Sequence, residues 1–168
     1  MRRSLPGAVI VSAVLFAWPP GHASAQRLGG VTGTWRLRSV TTSVDGVVSD
    51  TAPYGPLPTG RLTYTADGQV SAIVSAGGRR SLSVADRRAA PVTERAEAFA
   101  TFLAYAGCYR VSADTIIHHV EVASIENWVG TNLVRVARLK GNRLTLRTPP
   151  TSYSGRLQVF TLVWERMR

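Results

Sequence analysis

Four side chains able to do chemistry fall on what should be a single inner face: Tyr64, Tyr109, His118 and Arg135. An imidazole beside a phenol can pass a proton near neutral pH, so His118 with Tyr109 forms a candidate acid–base pair. A guanidinium on the same face supplies countercharge for a carboxylate or phenolate, because an ionised group out of water needs a partner. Each has a plainer alternative. A histidine next to a tyrosine on a core face is more commonly a satisfied hydrogen-bonded pair. Arg135 can snorkel to the mouth, or a bulge within 123–130 can turn it outward. Trp128 sits between two long strands, where it either caps an opening or covers the core, and Tyr54 and Tyr105 carry the same ambiguity. His118 and His119 cannot share a metal ion, since neighbouring strand residues point to opposite faces. With His22 as the third histidine and Cys108 as the single cysteine, no metal site is expected. Nucleophile elbow, phosphate loop and dinucleotide glycine pattern are all missing from the sequence, and no cofactor is expected.

These residues must be held by strands. Residues 34–42 alternate, with Trp35 and Leu37 on one side. Residues 43–60 read as a long loop, and 61–75 as a hairpin around Ala66-Asp67-Gly68 that sets Tyr64 opposite Val70 and Leu62 opposite Ala72. After an irregular basic loop over 76–92, a helix is expected, with Thr93 as N-cap, Phe99, Phe102, Leu103 and Ala106 on one side, and Gly107 ending it. Strands follow at 108–112, 115–123, 131–140, 143–148 and 157–166. The two-residue loop Ala113-Asp114 pairs Val111 with Ile116 and Tyr109 with His118. The Gly-first turn Gly141-Asn142 pairs Leu139 with Leu144 and Ala137 with Leu146. Because side chains alternate, these registers put Tyr109, His118, Val120, Leu133 and Arg135 inward, and Arg110, His119 and Glu121 outward. The fold class is therefore all-β: eight antiparallel strands and one short helix.

The chain of 168 residues begins with a basic Arg2-Arg3, an apolar stretch from Ala8 to Trp18 and the small-x-small triplet Ala23-Ser24-Ala25. That pattern is an export signal over 1–25, too short in its apolar part for a stable membrane span. The mature protein is expected to be periplasmic or secreted, with no integral membrane segment. A lone Cys108 allows no intrachain disulfide, so the core must hold the fold unaided. The formal net charge is +10, carried by 19 arginines and Lys140. The charges are scattered and not interleaved with stacking aromatics, which argues against a nucleic-acid groove. The one cluster, Arg79, Arg80, Arg87 and Arg88, reads as a solvated loop in preference to an anion patch.

The two ends match. Trp35 opens the first strand and Trp164 and Arg166 close the last, as in a barrel whose first and last strands pair. Arg166 stacked on the Trp35 indole would seal one end, with Trp164 nearby. Gly33-Thr34-Trp35, Tyr54-Gly55-Pro56, Tyr64 to Gly68, Tyr105-Ala106-Gly107, His118 to Val122, Asn127 to Thr131, Arg135, Leu144-Thr145-Leu146 and Trp164-Glu165-Arg166 together resemble the bacterial and fungal lipocalin-like domain family, over roughly residues 31–166. The resemblance implies an eight-stranded calyx and a small, mostly apolar or amphipathic ligand. The residue reading adds an anionic character to that ligand and Tyr64, Tyr109, His118, Arg135 and Trp128 as its contacts. The alternative is a cofactor-free isomerase, cyclase or hydratase acting through His118 and Tyr109 in the same cavity.

Overall fold

Residues 30–50, 53–153 and 155–168 are described by the computed structural model; the leader expected over 1–25 lies outside them. The strands are β1 (Gly33–Val44), β2 (Val47–Asp50), β3 (Thr59–Tyr64), β4 (Gln69–Ser75), β5 (Phe102–Ser112), β6 (Thr115–Ala123), β7 (Asn132–Lys140), β8 (Arg143–Arg147), β9 (Thr151–Tyr153) and β10 (Arg156–Arg166). One helix, α1 (Val92–Ala100), precedes β5, and a 3₁₀ turn at Glu126–Trp128 precedes β7. Eight strands close in the order β1-β3-β4-β5-β6-β7-β8-β10, with β10 returning to β1, all antiparallel. The short β2 and β9 extend β1 and β10 beyond the closed ring. No described helix is long and apolar enough to cross a membrane.

The expected registers are present. Tyr64 faces Val70, Tyr109 faces His118, and Leu139 faces Leu144. Two local expectations are corrected. Residues 43–60 are not a continuous loop: Asp45 and Gly46 both take positive φ, 51° and 84°, and turn β1 into β2 as a tight hairpin. Asp-Gly is a strong signal for such a turn, and Arg156 holds Asp45 at 3.1 Å. The second correction concerns the helix. It begins after Pro91, stops at Ala100 and buries no residue, while Phe102 to Gly107 pair with β4 as strand. Apolar residues at 99, 102, 103 and 106 fit a helical stripe, but pairing from Ser75–Phe102 to Gln69–Cys108 satisfies the same backbone in the sheet. Gly107 is thus no helix cap. It lies at a bulge opposite β6, where Glu121 is the extra residue and an added Cβ would collide with the His119 carbonyl oxygen.

The loop cluster also has a structural occupation. Arg79 donates to the Ala98 carbonyl and to Thr101 Oγ1 at 3.1 Å each, and lies over the Phe102 ring, so it caps the C-terminal end of α1. Glu94 accepts from the Ser83 backbone and hydroxyl, tying the loop to the helix start.

At the β5–β6 turn, Ala113 holds φ at 53°, a left-handed conformation that costs a Cβ-bearing residue roughly 1–2 kcal/mol. Ala113→Gly is expected to stabilise the protein by about 1 kcal/mol, the relief exceeding the added entropy of the unfolded chain. Thermal unfolding checks this; a lower midpoint would show that the turn is not strained.

Candidate functional site

The closed end is built as its residue types predict. Arg166 lies 4.1 Å from the Trp35 ring centroid and donates to the carbonyls of Thr32 (2.7 Å) and Gly30. The Trp35 indole N–H donates to the Val31 carbonyl at 2.8 Å. Gly33 adopts φ +126°, and a Cβ there would come within 2.8 Å of the Arg166 guanidinium, so glycine makes the seal possible. Along the β1–β10 ladder the pairs run Trp35–Arg166, Leu37–Trp164, Val40–Leu162 and Thr42–Phe160, leading away from the seal into the barrel.

Beyond this ladder's sealed end opens a cavity of about 610 Å³. Its walls are mostly apolar, including Val40, Leu62, Val74, Leu103, Leu133 and Phe160. Such a volume is in the range of small-molecule sites, far above a water-sized void. Trp164 forms part of the wall, so it belongs to the cavity as well as to the closure. Its buried indole N–H has no hydrogen-bond partner among the described residues. Arg135 is the charged side chain of the wall, joined there by Tyr105, Trp128, Tyr54, Asn132 and Thr148.

The expected ligand contacts therefore divide. Arg135 and Trp128 line the cavity; Tyr64, Tyr109 and His118 do not. His118 is fully enclosed, with Nε2 at 2.8 Å from the Tyr64 hydroxyl and Nδ1 at 2.8 Å from the Tyr105 hydroxyl. Tyr109 turns its hydroxyl to the Thr65 carbonyl at 3.1 Å and packs its ring on Tyr64 at 4.7 Å. The acid–base pair of His118 with Tyr109 is not assembled: the phenols that meet the imidazole are Tyr64 and Tyr105. Close packing of the sealed half explains this, since Tyr64 lies opposite Gly33 at the seal and the barrel there is filled with side chains.

Burial, reinforced by the Arg135 charge, drives the His118 pKa down to about 3. Such an imidazole is neutral at physiological pH and a weak base, poorly matched to proton transfer near pH 7. Burial raises the hydroxyl pKa of Tyr64 and Tyr105, against which the Arg135 charge acts on both. Arg135 itself donates to the Val134 carbonyl at 2.9 Å, and no carboxylate pairs with it among the described residues. His119, on the outer face as expected, bonds Asn132 at 3.1 Å. No group of three metal-ligating side chains occurs among the described residues.

Tyr105, expected on the helix, stands instead on β5 in the cavity wall. Its signal was a two-residue period, Leu103, Tyr105, Tyr109, Val111, interrupted only by the missing side chain of Gly107. Tyr105 packs edge-on to Trp128, their centroids 6.1 Å apart, which anchors the 3₁₀ turn at the cavity wall.

A family model described as a lipocalin-like domain matches residues 32–167. The 4'-hydroxy-3'-methoxypropiophenone carrier protein of Aspergillus oryzae is 37% identical over 83 residues, which cover 44% of this chain and 75% of that protein. A mutant of the fluorescent protein UnaG aligns over 83% of this chain and 97% of its own at 12% identity, with a TM-score of 0.35, too slight a likeness to carry weight.

Proposed function

Because the chain belongs to the lipocalin-like domain family, we propose that it is an exported binding protein that carries a small, mostly apolar, anionic molecule in its barrel. The observation that carries this reading is a 610 Å³ apolar cavity whose wall holds one cationic side chain, Arg135, without an acidic partner among the described residues. A carboxylate or phenolate would supply that partner, and the apolar walls would take up the rest of the molecule. The Aspergillus oryzae relative is named as a carrier of a phenolic ketone, which supports a cargo of similar size and character. Export rests on the leader over 1–25; cell fractionation with N-terminal sequencing should find the mature chain outside the cytoplasm, starting at Gln26.

Arg135 is only half-buried, so its contribution should fall at the lower end for a charge-assisted contact. Arg135→Leu is expected to weaken apolar carboxylates and phenolates by roughly 2–3 kcal/mol while leaving the empty protein as stable as before or slightly more so. Calorimetric titration of fatty and phenolic acids, beside urea unfolding, measures both. Equal affinities in parent and variant would make Arg135 a structural side chain and the cargo a neutral one.

A further inference from the structure

A neutral imidazole offers one N–H donor and one acceptor nitrogen, and both nitrogens of His118 meet a phenol at 2.8 Å. The two possible proton placements have different consequences. With the proton on Nε2, Tyr64 would accept from the ring, and its own hydroxyl proton would have no acceptor. Tyr64 is 1% exposed and His118 is the one hydrogen-bond partner of its hydroxyl among the described residues. Buried donors without acceptors are what folded proteins avoid. With the proton on Nδ1, Tyr64 donates to Nε2 and Nδ1–H donates to the Tyr105 oxygen. Only the Tyr105 proton is then left over, and Tyr105 stands in the cavity wall. Arg135 lies beside Tyr105 on that wall, but a guanidinium has no acceptor atom to take the proton.

We propose that the Tyr64–His118 bond fixes the His118 proton on Nδ1 and so makes Tyr105 a donor toward the cavity, where Tyr105 and Arg135 together clamp an acceptor oxygen of the cargo. This rests on the binding reading above and narrows it. The two adjacent donors select a carboxylate, phenolate or ketone oxygen. A ketone takes the Tyr105 bond without needing the countercharge, a carboxylate uses both, and an alkylammonium is repelled. Tyr64 and His118 act at one remove, as positioning residues.

The test uses three probes of similar shape: hydrocinnamate, benzylacetone and propylbenzene, titrated calorimetrically into the full chain. The parent should bind the two oxygen-bearing probes more tightly than the hydrocarbon. Tyr105→Phe should cost both of them roughly tenfold in affinity and leave propylbenzene unchanged, which also reports an intact cavity. Arg135→Leu should remove the preference for the acid and keep that for the ketone. Unchanged benzylacetone affinity in Tyr105→Phe overturns the clamp while the binding reading survives. If no probe binds, the binding reading itself fails. Nitrogen-15 NMR of the His118 ring in the empty protein decides the relay in either case: a proton on Nδ1 supports it, and a proton on Nε2 overturns it.

Discussion

Trp35→Ala is expected to lower the unfolding free energy by roughly 3–5 kcal/mol, the range for a large buried aromatic lost from a packed core. Three effects add in the same direction. The indole is completely enclosed, so its removal leaves a cavity between β1, β3 and β10 that close-packed neighbours cannot fill. The Val31 carbonyl loses its donor. Arg166 loses the ring face under its guanidinium, although the carbonyls of Thr32 and Gly30 still hold its nitrogens. Denaturant unfolding of parent and variant measures the sum, and a loss below about 1 kcal/mol would show that the ring is not the closing element. Arg166→Lys separates the parts. Lysine keeps the charge but gives up the planar fork that serves two carbonyls and one indole at once, so a smaller yet measurable loss is expected.

Closure at this end was legible because it depends on residue types that have few other uses: a Trp at the start, an Arg at the end and a glycine beside them. The registers of β3–β4, β5–β6 and β7–β8 were legible for a related reason, since a tight turn of known length assigns every residue on both strands to a face. What failed was local in a different sense. Residues 99 to 107 carry an apolar pattern that fits either period, and Gly107 removes the one position that would have completed the strand alternation. The choice is made by β4, which needs a partner along its whole length, and a single sequence does not show such a demand. Asp45-Gly46 was available as a hairpin signal and was masked by the Pro- and Gly-rich residues after it.

The candidate site shows the same division. Facing is a property of one hairpin, and the inward direction of His118 and Arg135 followed from their turns. Depth is a property of the whole barrel. His118 and Arg135 share an inner face, yet one lies where side chains fill the interior and the other where they leave 610 Å³ open. That difference depends on the sizes of side chains contributed by all eight closing strands, so it emerges only when they are assembled. The result is a barrel with two halves of unlike chemistry. The sealed half is packed around Trp35 and Tyr64, and the open half is apolar with Arg135 on its wall. The Tyr64–His118–Tyr105 series joins them.

That series carries a cost in acid. His118 should make the protein lose roughly 4–5 kcal/mol of stability as pH falls from about 6.5 to about 3. The sign follows from the direction of the shift. In the unfolded chain the imidazole takes a proton near its ordinary pKa of 6.5, whereas in the folded barrel burial and the Arg135 charge hold that proton off until about 3. Between those values the unfolded state binds one more proton than the folded state, so each pH unit favours unfolding by about 1.4 kcal/mol. Above the upper value both states are neutral at this residue and its contribution is level; below the lower value both are protonated and the loss stops. The phenols bonded to the ring are Tyr64 on β3 and Tyr105 on β5, neither of which titrates in this window, and the charge acting on it is Arg135 on β7; Tyr109, the cross-strand neighbour of His118 on β5, turns its hydroxyl to the Thr65 carbonyl. Acidification acts on more of the chain than this one ring, so the comparison must be internal. His118→Gln keeps one donor and one acceptor without a titrating group. It is expected to be less stable than the parent near neutrality, through poorer packing between the two tyrosines, and to have a flatter profile on acidification. Urea unfolding of both proteins at steps between about pH 7 and pH 4 should give curves that approach each other by more than 2 kcal/mol. Parallel curves would mean that His118 takes up its proton equally in both states, and the enclosed, neutral imidazole between two phenols would have to be abandoned. In Arg135→Leu the same window should narrow from its acid side, because removing the charge relieves one of the two causes that hold the proton off.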